Sequence, residues 1–351
     1  QAFCIQHASA RQPFQGFFQD QAAMGRDSVD RDSVFSNYKS VFSRQFAVSL
    51  AVEFIGVMFF QILGGSAKKG SEAWVNAMAL AVWIYTAANI SGGHLNPAVT
   101  ISMAICGFFP VLHSVVYVTL QILGAMLGAV VTAFLIPGAS LQMGDGGPGC
   151  FDRSVISGVS DTQVMWWECI MTFTLISCVY ACGVAKPGHG SHTPLVVGFA
   201  LFCCAASGGQ YTGGALNPAR VLGPLAAFGC GEDIYGRYLA GQALAAVFAM
   251  SVFAFVSGLG PLNPWMAKRA LQLSFPEAAY LWITGSPPSR LQKTGRENIN
   301  DFMSKFQKFH SEDSEDDVAE TKEQSSFLER FFGVKHRGKA VADSAESEAI
   351  A

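Results

Sequence analysis

The chain has 351 residues and a net charge of −3; half of it is hydrophobic and only 14% is Asp, Glu, Lys or Arg. So sparse a charge, with no basic stripe, gives nucleic-acid binding no support. The nine cysteines do not fall into the paired CxxC and His spacings of a metal site. No charged side chain occurs between Ala73 and Gly144, a run of 72 residues, and a membrane is the economical solvent for a segment that long.

Residues 1–45 mix Arg, Asp, Gln and Phe without the basic start and apolar run of a signal peptide. They read as a cytoplasmic N-terminal extension. Six apolar stretches long enough to span follow, roughly Phe46–Ser66, Ala73–Ile90, Pro110–Ile136, Thr162–Gly183, Thr193–Ser207 with its flanks, and Ile234–Gly258. Two shorter segments, Ala98–Cys106 and Ala219–Ala227, reach only about 14 Å at 1.5 Å per residue and cannot cross a core about 30 Å thick. They read as half-helices. From Pro261 the composition turns polar, and residues 261–351 are expected to be a largely disordered cytoplasmic tail. Its acidic run carries Ser311 and Ser314 as phosphorylation candidates, and a Phe-rich piece near Phe331 suits a short membrane-surface helix.

Each half-helix opens on the same tripeptide, Asn96-Pro97-Ala98 and Asn217-Pro218-Ala219, inside SGGHLNPAVT and TGGALNPARV. Asn is a favoured N-cap, and Pro at the first helical position loses no hydrogen bond. The two motifs stand 121 residues apart (217 − 96), as do Gln121 and Gln242, and Glu53 and Glu168 are separated by 115. The chain is therefore an internal repeat of Glu, Asn-Pro-Ala and Gln, about 46–136 and 162–258. Three spans per repeat invert the second relative to the first and bring the two loops in from opposite faces. Lys and Arg favour both termini in the cytoplasm: Arg26, Arg31, Lys39, Arg44, Lys186, Lys268, Arg269 and Arg290 stand against Lys68, Lys69 and Arg153 on the other face. Cys150 and Cys230 fall in connections on that other face, which leaves a disulfide between them open. Gly124 and Gly128 form a small-residue face for close helix packing.

These residues resemble the major intrinsic protein family, the aquaporins and aquaglyceroporins, over roughly Phe46–Gly260. The resemblance implies an all-α integral membrane protein, with six transmembrane helices and two re-entrant half-helices, assembled as a homotetramer with one pore per protomer. The expected activity is passive passage of water and small uncharged solutes through the lipid bilayer of the plasma membrane or an intracellular membrane. No cofactor, metal or enzyme activity is implied. Asn96 and Asn217 are expected to offer amide donors to the permeating file, while the two helix N-termini repel cations and protons. A charge in an apolar segment needs a watery path or a partner, and the resemblance implies that Arg220 stands at the narrow outer filter. Counting from the motifs completes that filter with Asn76, Ala205 and Gly214. Strictly water-selective members carry Phe and His where this chain has Asn76 and Ala205, so the filter favours glycerol, urea or similar solutes. Val221 stands where glycerol facilitators carry Asp.

Glu53 and Glu168, with Gln121, Gln242 and His94, are expected to hold the re-entrant loops by accepting or donating hydrogen bonds there. Two other function classes compete. A proton-coupled transporter also uses inverted repeats and broken helices, and Glu53 and Glu168 are its only coupling candidates. A scaffold that has lost conduction would carry bulky filter positions, the reverse of those found.

Overall fold

The computed structural model describes residues 43–288, except 140, 141, 143–145, 157, 186, 187 and 287. The N-terminal extension before residue 43, the acidic run with Ser311 and Ser314 and the Phe-rich piece lie outside the described residues.

The described residues form ten α-helices in chain order: α1 Arg44–Gly65, α2 Glu72–Ser91, α3 Pro97–Cys106, α4 Val111–Leu135, α5 Asp161–Val179, α6 Thr193–Thr212, α7 Pro218–Phe228, α8 Tyr235–Ser257, α9 Pro264–Leu271 and α10 Phe275–Thr284. No strand occurs among the described residues. Among the same residues six helices are long and apolar enough to cross a membrane: α1, α2, α4, α5, α6 and α8. The two between them, α3 with 10 residues and α7 with 11, are too short. This is the all-α fold of six spans and two half-helices, and the chain is a multi-pass integral membrane protein.

Local chemistry sets the ends. Ser43 Oγ accepts from the Phe46 N–H at the start of α1, and Ser160 and Gln163 form a reciprocal capping box on α5. The final turn of the fourth span differs from a plain helix. Tyr180–Val184 winds as a π turn, where the Ala185 N–H reaches back to the Tyr180 carbonyl and the Tyr180 ring stacks on Phe253 at 4.3 Å.

The repeats interlock. Within each, the first and third spans pair, α1 with α4 and α5 with α8, and the middle spans α2 and α6 meet across the repeats. Each half-helix packs chiefly on the last span of the opposite repeat, α3 on α8 and α7 on α4. Small residues allow these approaches, because helices in lipid gain by packing closely. A Cβ on Gly124 would strike the Phe54 carbonyl of α1, one on Gly128 would lie 2.5 Å from the Met58 carbonyl, and one on Gly223 of α7 would strike Ala125 of α4. Gly241 of α8 meets the Met165 carbonyl of α5 in the same way, so the contact recurs in the second repeat.

Two further helices follow Gly260, within the stretch read as the tail. Helices α9 and α10 pack on each other around Leu262, Ala267, Leu273, Ala278 and Leu281. They also close the end of α3: the Gly260 and Leu262 N–H groups reach the Cys106 and Gly107 carbonyls, and Trp282 Nε1 donates to the Ala104 carbonyl at 2.7 Å. The last carbonyls of a helix need partners. Here the sequence past the final span supplies them.

The α1–α4 contact is testable by adding bulk. Gly128→Val should lower stability by about 1–3 kcal/mol, as overpacking does, whereas Gly236→Ala, with open space around its Cα, should be neutral. Thermal unfolding in detergent, followed by circular dichroism, reads both.

Candidate functional site

The motif Asn residues sit at the starts of α3 and α7 and act in two ways at once. Asn96 Oδ1 accepts from its own Ala98 N–H at 2.9 Å, and Asn217 Oδ1 accepts from Ala219 N–H at 2.9 Å. Each amide then donates across the repeats, Asn96 Nδ2 to the Leu216 carbonyl and Asn217 Nδ2 to the Leu95 carbonyl, both at 2.8 Å. The half-helices are thus tied start to start, through Asn residues only 3% and 2% exposed. Each amide keeps a second N–H beyond that tie. Pro97 and Pro218 occupy the first helical positions, with Ala98 and Ala219 buried behind them.

The carbonyls that accept these bonds come from strained backbone. Leu95 and Leu216 have φ of 49° and 53°, left-handed values unusual for a side chain of this kind. Both are fully buried. Gly92 and Gly93, and their counterparts Gly213 and Gly214, precede them with positive φ, which lets each chain leave its span and reverse into the half-helix.

A carboxylate supports each loop. Glu53, fully buried on α1, accepts from the His94 N–H (2.9 Å), the Leu95 N–H (2.7 Å), Ser91 Oγ (2.6 Å) and Gln121 Nε2 (2.8 Å). Glu168, fully buried on α5, accepts from the Ala215 N–H (3.1 Å), the Leu216 N–H (2.9 Å), Thr212 Oγ1 (2.8 Å) and Gln242 Nε2 (2.8 Å). Four donors on each carboxylate match its lone pairs. His94 contributes its backbone to Glu53, while its ring Nδ1 lies 3.2 Å from Thr100 Oγ1 and its edge meets Phe109 and Tyr117.

The four filter candidates fall into two pairs. A Cβ on Gly64 would lie against both Asn76 Oδ1 and Arg220 Nη2, so Asn76 and Arg220 flank the same bare stretch of α1. Asn76 Nδ2 donates to the Glu72 carbonyl at 2.8 Å, while its Oδ1 and Arg220 Nε are buried without a hydrogen-bond partner. Ala205 packs on Gly214, whose Cα would place a Cβ 3.5 Å from it. The Arg220 guanidinium, 3% exposed, lies over the Phe60 ring at 4.9 Å and the Phe151 ring at 5.6 Å. Cys150 and Cys230 are joined as a disulfide with Cα atoms 6.0 Å apart, tying the α4–α5 connection to the segment after α7.

Several of these residues escaped the sequence reading. Ser91 and Thr212, Leu95 and Leu216, and Tyr117 and Tyr238, whose hydroxyls donate to the Ser91 and Thr212 carbonyls, are each 121 residues apart. The motif spacing applied to every polar position in the apolar stretches finds the Ser91/Thr212 and Tyr117/Tyr238 pairs, but not the leucines, which act through their backbone. Gly64, Phe60 and Phe151 carry no such signal.

Two half-helices tied start to start inside six spans define a membrane channel. The profile of the family described as "Major intrinsic protein" matches residues 34–232, and the chain belongs to that family. It is similar to Aquaporin TIP2-1 of Zea mays, 31% identical over 238 residues that cover 63% of this chain and 90% of that one. Against Aquaporin TIP2-3 of Arabidopsis thaliana it is 33% identical over 186 residues, 52% of this chain and 71% of that one. The X-ray structure of the aquaglyceroporin from Plasmodium falciparum shares the fold, with a TM-score of 0.50 and 24% identity over 60% of this chain and 97% of that one. The chain is a passive membrane channel for water and small uncharged solutes.

Glu168→Gln turns one acceptor oxygen into a donor facing two donors, either Thr212 and Ala215 or Leu216 and Gln242. Bonds to a charged group are each worth about 1.5–3 kcal/mol, so this variant and Glu53→Gln should lose at least about 2 kcal/mol of stability. The expected readout is a lowered melting temperature with the pH dependence of flux, per folded channel, unchanged.

Proposed function

We propose that the channel passes solutes of glycerol and urea size as well as water, and that Asn76, Ala205, Gly214 and Arg220 form its selecting constriction. The observation that supports this is the pair of polar groups gathered on Gly64. There Asn76 Oδ1, an unused acceptor, and the Arg220 guanidinium, a donor with no acceptor on its Nε, both pack against the glycine, while Ala205 and Gly214 add almost no bulk. A polyol hydroxyl or a urea amide both donates and accepts, so it can replace its lost water partners on such a pair, and buried polar groups left unpaired are costly.

Asn96 and Asn217 act at the midplane. Each has one amide N–H left after the cross-repeat bond, and the N-termini of α3 and α7 bring positive potential of about half a charge apiece. Cations meet repulsion there, and a file of water is oriented by the donors.

Glu53 and Glu168 serve the loops. Their lone pairs are taken by four donors each, which leaves no free acceptor to carry a coupled proton and speaks against the transporter reading. Both termini face the cytoplasm in this proposal. The bias of Lys and Arg supports it, and so does the Cys150–Cys230 bond, since a disulfide persists on an oxidising, non-cytosolic face. Assembly as a homotetramer is the family's habit and is proposed on that ground.

Proteoliposome swelling under matched water, glycerol and urea gradients tests the reading. All three fluxes should exceed those of empty liposomes, with no ionic current. Ala205→His with Asn76→Phe should cut glycerol and urea flux about tenfold or more while water flux falls less, since loss of room discriminates by size. A wild type that passes water but excludes glycerol and urea would show the constriction to be elsewhere.

A further inference from the structure

The Arg220 guanidinium packs on two aromatic rings of different origin. Phe60 belongs to α1 and is fixed by helix packing. Phe151 lies in the α4–α5 connection, outside any helix, yet is only 6% exposed. Something other than regular structure must seat it.

The fastenings lie on both sides of Phe151. Cys150, the residue before it, is bonded to Cys230. Arg153, two residues after it, pairs with Asp233 at 2.7 Å and also with Asp161. Both links join residues 80 apart, so the segments 150–153 and 230–233 lie side by side in register. Between them the Phe151 carbonyl presses on Gly231, where a Cβ would collide with it. The ring faces inward: its edge meets Tyr238 at a centroid distance of 5.6 Å, and a Cβ on Gly213 would lie 3.2 Å from it. It therefore touches the second re-entrant loop as well as Arg220.

We propose that Phe151 is a positioning residue for the Arg220 guanidinium and that the Cys150–Cys230 disulfide clamps it there, so that the solute selectivity of the channel answers to thiol reductants on that face. The proposal rests on the assignment of Arg220 to the constriction. The ion pair is the weaker fastening. Arg153 and Asp233 side chains are 50% and 58% exposed, and such pairs contribute little in salt, whereas a bond closing a loop of this length restricts the chain far more. A dithiol supplies two electrons and two protons. The S–S bond breaks to two thiols while the reductant closes to its own disulfide. The freed connection then releases the ring, and Arg220 keeps only Phe60 as an aromatic neighbour. Part of the space the ring filled opens to the guanidinium, and the constriction widens for larger solutes.

The test uses the full chain in proteoliposomes, with glycerol and water permeabilities measured on the same preparation. In Phe151→Ala, in Cys150→Ser with Cys230→Ser, and in dithiol-treated wild type, the glycerol-to-water ratio should rise about three- to tenfold, the range one cation–π contact commands. Phe151→Tyr, which keeps the ring face, should return the ratio toward wild type, and the Cys variant should ignore the reductant. An unchanged or lowered ratio in wild type in which titration finds two additional thiols overturns the clamp, as does a Tyr variant as permissive as Ala. If wild type passes neither solute, the channel reading fails, and hydrogen exchange of residues 212–221 still decides the clamp. Reduction should speed that exchange, and identical exchange before and after reduction overturns the proposal.

Discussion

Backbone that enters hydrocarbon without being helical must find a partner for every N–H and C=O, and the rest of this structure depends on how that demand is met. Two loops leave α2 and α6, reverse, and begin half-helices inside the bundle. Each reversal exposes N–H groups at the one depth where water is least available. Glu53 and Glu168 meet that need with carboxylates that are themselves expensive to bury. The cost is tolerable because four donors converge on each, two of them main-chain N–H groups of the loop being supported. Remove the carboxylate and the loop loses its partners; remove the loop and the carboxylate loses its reason to be buried.

The same economy explains the strained leucines. A left-handed Leu95 turns its carbonyl toward Asn217, and a left-handed Leu216 turns its carbonyl toward Asn96. Strain in each repeat is thus offset by a hydrogen bond donated from the other. Neither half-helix is anchored alone, and the small residues at Gly124, Gly128, Gly223 and Gly241 let the spans come close enough for the two starts to meet.

The architecture was readable in the sequence because the polar residues stranded in apolar stretches recur at nearly the same interval, 121 residues for the Asn and Gln pairs and 115 for the Glu pair. Asn96 and Asn217, Gln121 and Gln242, and Glu53 and Glu168 announce the two repeats, and length alone separates half-helices from spans. What was hidden has a physical reason in each case. Leu95 and Leu216 act through main-chain carbonyls, to which their residue type gives no clue. Gly64 matters because of what approaches it, and Asn76 and Arg220 come from 12 and 156 residues further along the chain. Helices α9 and α10 looked like tail because their composition is mixed, yet they complete the C-terminal carbonyls of α3. Phe151 stands in a loop whose path is fixed by a disulfide that spacing alone left undecided.

The repeats are symmetrical where they solve the backbone problem and differ around the starts of the two half-helices. Subtracting the repeat interval sets Arg220 against Val99, and Ala215 against His94. In the first repeat His94, Thr100 and Gln121 form a neutral hydrogen-bonded group around the loop. The second repeat gives up that group: Val221 replaces Thr100, and the position before it carries a cation packed on two aromatic rings. The ends diverge as well. The half-helix of the first repeat is finished by α9 and α10, whereas the chain leaving the half-helix of the second is bonded to a loop by the disulfide. The bonds that seat the loops thus recur in both copies, while the side chains proposed to select the solute, Asn76 in the first repeat and Ala205 and Arg220 in the second, take no part in them.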